Sequence, residues 1–117
     1  MLRTLILLSS LVLLLACGPE PTPAQRYPGP WHEDVYPALL RAMLLHDVHE
    51  CGYLAYKPAA DNSAHPNYPE LLVYCSNGER ETAYTVFLRP NENDDAVNGP
   101  SDLYPDISPP ASWKNSN

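Results

Sequence analysis

The dipeptide Asn77-Gly78 constrains the fold of this chain more than any other pair of neighbours. Asn-Gly between two β-prone runs is the strongest short-range hairpin signal, because both residues tolerate the positive φ of a tight reversal. Before it stands Glu70-Leu71-Leu72-Val73-Tyr74-Cys75, and after it Thr82-Ala83-Tyr84-Thr85-Val86-Phe87-Leu88-Arg89. Both runs are rich in the β-branched and aromatic residues that fit a pleated surface. A two-residue turn sets Ser76 opposite Glu79, so that Val73 faces Thr82 and Leu71 faces Tyr84. One face of the hairpin then carries Leu71, Val73 and Cys75 with Thr82, Tyr84, Val86 and Leu88. Leu72, Tyr74, Ala83, Thr85 and Phe87 fall on the other.

A third strand is expected over residues 51–57, upstream of the hairpin, and a helix before that. Pro37 suits the first helical position, where its missing N–H is not needed and its φ is preset. Ala38 to Leu45 are mostly good helix formers. Val35, Leu39, Ala42 and Met43 form an apolar stripe, which Tyr36, Leu40 and Leu44 widen. Gly52 is the expected helix stop. The predicted fold is α+β: one N-terminal helix packed on a three-stranded antiparallel sheet, occupying residues 31–90. A polar loop over 58–69 joins the first two strands. Residues 18–30 hold five prolines and no apolar period, which predicts a stiff tether with a reach of about 40 Å if fully extended. Residues 91–117 are Asn-, Asp- and Pro-rich with a charge of minus four. They read as an irregular acidic tail, with Tyr104, Ile107 and Trp113 available to pin it to the domain.

The N-terminus carries an address. Arg3 precedes an apolar run from Leu5 to Ala16 broken only by Ser9 and Ser10, and the run ends in Leu14-Leu15-Ala16-Cys17. The run is short for a bilayer span, which needs about 20 apolar residues, and has the charged, apolar, small-residue order of a secretory signal. With the cysteine placed directly after Ala16, the segment resembles the signal peptide and lipobox of bacterial lipoproteins. The resemblance covers this segment alone. It implies that residues 1–16 are removed, that Cys17 becomes the first residue, and that its sulfur and amine are acylated, which anchors residues 17–30 and everything after them to a lipid bilayer. Gly18 stands where an aspartate would suggest inner-membrane retention in enteric-type bacteria, so the expected location is the periplasmic side of an outer membrane.

With Cys17 assigned to lipid, Cys51 and Cys75 are an even pair in an oxidising compartment, and a disulfide is expected between them. Its loop of about 25 residues corresponds to about 3 kcal/mol in the chain-entropy treatment. If the two cysteines are cross-strand neighbours, alternation from Cys51 adds Tyr53 and Ala55 to the face of Leu71 and Val73. Leu54, Tyr56, Leu72, Tyr74 and Phe87 then share the opposite face. One helix covers one face, so this second face is the expected interaction surface unless the tail folds back over it.

Loss of Arg3 leaves six basic against fourteen acidic side chains, a balance of minus eight over 101 residues. That charge argues against nucleic acid as a partner and suits either plain solubility or a cationic protein. Motifs for catalysis are missing: there is no nucleophile elbow, P-loop or dinucleotide fingerprint. The densest set of potential ligands is His46-Asp47-Val48-His49-Glu50. On a continued helix His46, His49 and Glu50 would share a face and offer a weak zinc site, whereas a polar helix end explains the same residues without metal. No cofactor is expected. The functional expectation is a lipid-anchored, non-enzymatic interaction module with an envelope protein as partner. Two alternatives stand beside it. One is an inhibitor or exclusion factor, similar to periplasmic lysozyme inhibitors in size, anchor and charge only. The other is a phage or mobile-element envelope lipoprotein of the spanin kind.

Overall fold

The computed structural model describes residues 19–64 and 69–115. The signal segment and Cys17 lie outside them, as do His65 and Asn67 of the polar loop. The described elements are a four-residue helix α1 (Pro23–Arg26), helix α2 (Pro37–Leu45), and strands β1 (Tyr53–Pro58), β2 (Glu70–Ser76), β3 (Glu81–Phe87) and β4 (Ala96–Ser101). Short 3-10 turns lie over Ala60–Ala64, Glu92–Asp94 and Ala111–Asn115. The strands form one antiparallel sheet in the order β1-β2-β3-β4. The α+β class stands, but with four strands rather than three.

The fourth strand comes from the segment expected to be an irregular tail. Composition hid it, since Ala96 to Ser101 contains Asn98, Gly99 and Pro100, all poor strand formers. Pro100 is tolerated because β4 is an edge, where a missing N–H costs no ladder bond and blunts pairing with another chain. Pairing with β3 shifts register between Ala83 and Thr85. There Gly99, at φ +142°, lies so close to β3 that a Cβ would stand 2.7 Å from Tyr84 Cδ1 and 2.8 Å from the Ala83 carbonyl oxygen.

The hairpin forms where Asn77-Gly78 places it, with a wider loop. Ser76 pairs with Glu81, Cys75 with Thr82 and Val73 with Tyr84, two residues away from the expected register. Asn77 Oδ1 accepts from the N–H groups of Glu79 (2.9 Å) and Arg80 (2.8 Å), and Gly78 takes φ +94°. The Asn side chain thus organises a four-residue loop in place of a two-residue one. A shift of two preserves the side-chain faces.

Strand β1 departs by one residue, and there the faces change. Leu54 pairs with Cys75 and Tyr56 with Val73. Leu54 and Tyr56 therefore lie on the face of Leu71 and Val73, and Ala55 lies on the opposite one. Cys51 precedes the strand and takes no place in the ladder, so alternation counted from it is out of phase. The Cys51–Cys75 disulfide is present, with Cα atoms 5.1 Å apart.

Helix α2 starts at Pro37 as expected and buries Leu39, Ala42 and Met43 against Tyr56, Leu71, Val73, Val86 and Leu88. It ends at Leu45, earlier than Gly52. Asp47 adopts φ +64°, the Asp47 N–H donates to the Leu44 carbonyl (3.1 Å), and the Val48 N–H donates to the Met43 carbonyl (2.9 Å). This is a Schellman stop with aspartate in the left-handed position usually taken by glycine. Val48 and Met43 pack in the same apolar cluster, the contact that accompanies such a stop.

The opposite sheet face is covered from both ends of the chain, which corrects the reading of residues 18–30 as a free spacer. Thr22 caps α1 in a reciprocal capping box with Gln25. The Ala24 N–H donates to Asp106 Oδ2 (2.9 Å) and the Trp31 Nε1–H to the Ser108 carbonyl (2.8 Å). Tyr27, Leu72, Tyr74, Ile107 and Trp113 are buried together there, with Ala24, Trp31, Leu103 and Tyr104 packed around them. The N–H and carbonyl of His32 bond Tyr56 at the outer edge of β1, both at 2.9 Å. No helix among the described residues is long and apolar enough to cross a membrane.

Candidate functional site

The residues expected to form an interaction face do not form one. Leu72 and Tyr74 are fully buried beneath the N- and C-terminal segments. Tyr56 is buried under α2, and Leu54 is half-buried on the same side. Phe87 is half-buried at the end of β3 with the Arg89 guanidinium over its ring. Tyr74 is the centre of the covering. Its hydroxyl accepts from the Tyr104 N–H (3.0 Å) and donates to the Ile107 carbonyl (2.9 Å), and the Trp31 ring lies 4.6 Å away. Tyr and Trp bring large apolar area and a polar tip. Here those tips clip the chain ends to the sheet rather than meeting a partner.

The ligand cluster is also dispersed. Because α2 stops at Leu45 and the chain turns at Asp47, His46, His49 and Glu50 are not on a common helical face. His46 Nε2 lies 3.1 Å from the Asp95 carbonyl oxygen, and His49 Nε2 lies 3.6 Å from Asp47 Oδ1. Among the described residues no three or more His, Cys, Asp or Glu side chains are grouped as a metal site. His49 and Glu50 instead line a shallow polar cleft of about 290 Å³ with Asp47, Asn77, Arg80 and Thr82.

Several phenols have shifted ionisation, and their surroundings are structural. Burial pushes Tyr27 up, and its hydroxyl donates to Glu70, whose carboxylate also lies 3.6 Å from Arg26. Burial, helped by donation to Asp34 (3.1 Å), pushes Tyr56 up to about 12. Burial raises Tyr74. Burial lowers Lys57, whose ammonium donates to the Gly29 carbonyl (2.7 Å) beside the Trp31 ring. These groups hold the termini and the edge of β1.

Most of the exposed large apolar side chains lie on α2 or just before it. Val35 is 76 % exposed, Leu40 38 % and Leu44 56 %. They border a groove of about 340 Å³ between α2 and the start of β1, floored by Met43, Val48 and Leu54 and edged by Glu33, Asp34 and His49. The helical stripe read from sequence was too wide by these residues. Leu39, Ala42 and Met43 face the sheet and Tyr36 packs beside them, whereas Val35 of the expected stripe and Leu40 and Leu44, expected to widen it, remain in solvent. Leu45 is also exposed but does not border the groove. The sequence contained the signal, since Leu40 and Leu44 are one helical turn apart and beside Arg41. A single helix over a narrow sheet does not need so broad an apolar face. No family model, curated protein or solved structure matches the chain.

Proposed function

We propose that the protein is a bacterial envelope lipoprotein, anchored through an acylated Cys17, whose folded body is a non-enzymatic interaction module on the periplasmic side of the outer membrane. The anchor reading rests on Leu14-Leu15-Ala16-Cys17. The interaction reading is carried by one observation: the groove between α2 and β1, where Val35, Leu40 and Leu44 stay exposed although both sheet faces are covered. Isolated exposed apolar residues are ordinary, but a contiguous set along a groove marks a contact surface. Perturbed groups that serve as clips favour binding over catalysis.

The packed N-terminal segment alters the geometry of the anchor. Only Gly18 to Pro21 separate Cys17 from the cap of α1. Four extended residues reach about 12 Å, against about 40 Å for a spacer running to Pro30. The body therefore rides close to the bilayer, and its partner is a membrane-proximal protein. The acidic edge of the groove also favours the second reading, an inhibitor of a cationic envelope enzyme, for which a lysozyme activity assay with the purified protein is the direct test. The spanin-like reading is disfavoured by the stapled four-stranded body, since those subunits are largely extended.

Two measurements test the proposal. Radiolabelled palmitate should enter the wild-type protein and not the Cys17→Ser variant. Cross-linking in envelope fractions from a groove position such as Val35 should trap a membrane-proximal protein that cross-linking from Tyr53, at the start of β1, does not. Absence of label rejects the anchor, and identical cross-linking from both positions rejects the groove.

A further inference from the structure

We infer that the groove beside α2 receives a cationic amphipathic helix of a partner protein. The inference rests on the interaction-module part of the proposed function and is independent of the anchor. Its first basis is shape. Leu40 and Leu44 form an i, i+4 ridge, and Val35, in the segment before α2, borders the same groove; helices pack by laying one such ridge into the groove of another. The Leu40–Leu44 ridge spans about one helical turn, roughly 6 Å, and Val35 lengthens the apolar border beyond it. That length meets apolar anchors at i, i+4 and i+7 of a docked helix. Met43, Val48 and Leu54 supply the floor.

Its second basis is charge. Glu33 and Asp34 edge one end of the groove, and no Lys or Arg is among its described lining residues; the adjoining cleft, which shares Val48 and His49 with it, is lined by Asp47, Glu50 and Arg80. Arg41, the cation on α2, is engaged by Glu92 at 2.9 Å. Glu33 and Asp34 accept hydrogen bonds from Ser112 (2.7 Å) and Tyr56 (3.1 Å). Those bonds hold both carboxylates in place and leave their charge uncancelled. An apolar strip with an acidic border selects a helix whose apolar stripe is flanked by Lys or Arg, and it speeds the encounter electrostatically. In a two-fold dimer through this groove the same acidic-bordered patch would meet itself, and its described lining supplies no Lys or Arg. An anionic membrane surface is repelled by the same carboxylates and by the net charge of minus seven.

The test uses the full chain purified from membranes in detergent and a fluorescein-labelled Leu/Lys amphipathic helix of about 14 residues with Leu at i, i+4 and i+7. A Leu/Glu counterpart and empty micelles are the controls. Anisotropy should show saturable binding of the Lys peptide that weakens as salt rises, and no binding of the Glu peptide. Leu40→Asp with Leu44→Asp, both exposed and therefore compatible with the fold, should weaken binding by at least about tenfold. Glu33→Gln with Asp34→Asn, which keeps both acceptors, should weaken it several-fold and flatten the salt dependence. Circular dichroism and tryptophan fluorescence verify that each variant is folded. Wild-type affinity in the Leu40/Leu44 variant would overturn the inference as diffuse charge attraction. Equal binding of the two peptides, or no binding of the Lys peptide, would also overturn it. So would a wild-type dimer that Leu44→Asp dissociates, which would assign the groove to a second copy. Loss of palmitate labelling would leave this result untouched, and failure of the peptide to bind would leave the anchor untouched.

Discussion

Replacing Tyr74 by Phe removes one oxygen atom from the centre of the fold and tests how the second sheet face is closed. The ring stays, with its full burial and its contact with Trp31, so the apolar contribution is unchanged. What is lost is the acceptor for the Tyr104 N–H (3.0 Å) and the donor to the Ile107 carbonyl (2.9 Å). Each intramolecular hydrogen bond contributes about 1 kcal/mol net, and a buried group left without a partner costs about 1–3 kcal/mol. No water-sized space is created by the exchange, so the orphaned groups are not readily rehydrated. The expected loss is about 2–4 kcal/mol. For a domain of this size that lowers Tm by on the order of 10–20 °C and removes a large share of a total stability of about 5–15 kcal/mol. Urea unfolding followed by tryptophan fluorescence suits the question, since Trp31 and Trp113 both lie in the covered cluster. Tyr53→Phe is the control: Tyr53 is exposed, and its variant should stay within about 0.5 kcal/mol of wild type. A Tyr74→Phe loss below about 0.5 kcal/mol, or one equal to that of Tyr53→Phe, would refute the view that this hydroxyl clips the C-terminal segment to the sheet.

Other perturbations bear on other parts of the fold. Gly99→Ala should destabilise by about 1–3 kcal/mol, because φ +142° and the Tyr84 and Ala83 atoms leave no room for a Cβ; an unchanged urea midpoint would contradict this. Reduction of Cys51–Cys75, 24 residues apart, should cost about 3 kcal/mol, seen as a lower urea midpoint in reductant; identical midpoints would show that the staple adds nothing. Tyr27, Tyr56 and Tyr74 are all raised above the ordinary phenol value of 10.0, so the folded state favours their neutral forms. Their contribution to stability is then constant below pH 10, and above it these phenols lose protons first in the unfolded chain. Stability should fall as pH rises from 10 towards about 12 for Tyr56. Urea midpoints at pH 8 and pH 11, with tyrosinate absorbance as the reporter, check the sign; equal midpoints would refute it.

The local features were legible in the chain because each is written in a few adjacent residues. Pro37 marks the helix start, Asn77-Gly78 the hairpin, and the Val-, Tyr- and Thr-rich runs the first three strands. The pairing of Cys51 with Cys75 followed from counting cysteines once Cys17 was set aside. The errors came where one local choice was extended too far. The hairpin register moved by two because the Asn77 side chain caps two N–H groups rather than one turn. The faces of β1 inverted because Cys51 stands outside the ladder. The helix ended early because Asp47 accepted a conformation normally left to glycine, and with it the His46, His49 and Glu50 cluster came apart.

By itself, then, the sequence determined an α+β body with a disulfide staple, a helix start and a hairpin, since propensity, turn chemistry and alternation act over a few neighbours. Tertiary structure alone decided which apolar surface stays in water. Residues 22–31 and 103–113 have little regular pattern, yet Tyr27, Trp31, Ile107 and Trp113 fold over Leu72 and Tyr74. Burial of that aromatic area repays the ordering of two irregular segments, a balance that depends on contacts about 80 residues apart, such as Ala24 with Asp106, and leaves no periodic trace. Once that face closed, the exposed apolar side chains beside the α2 groove, Val35 before the helix and Leu40 and Leu44 on it, became the surface open to a partner.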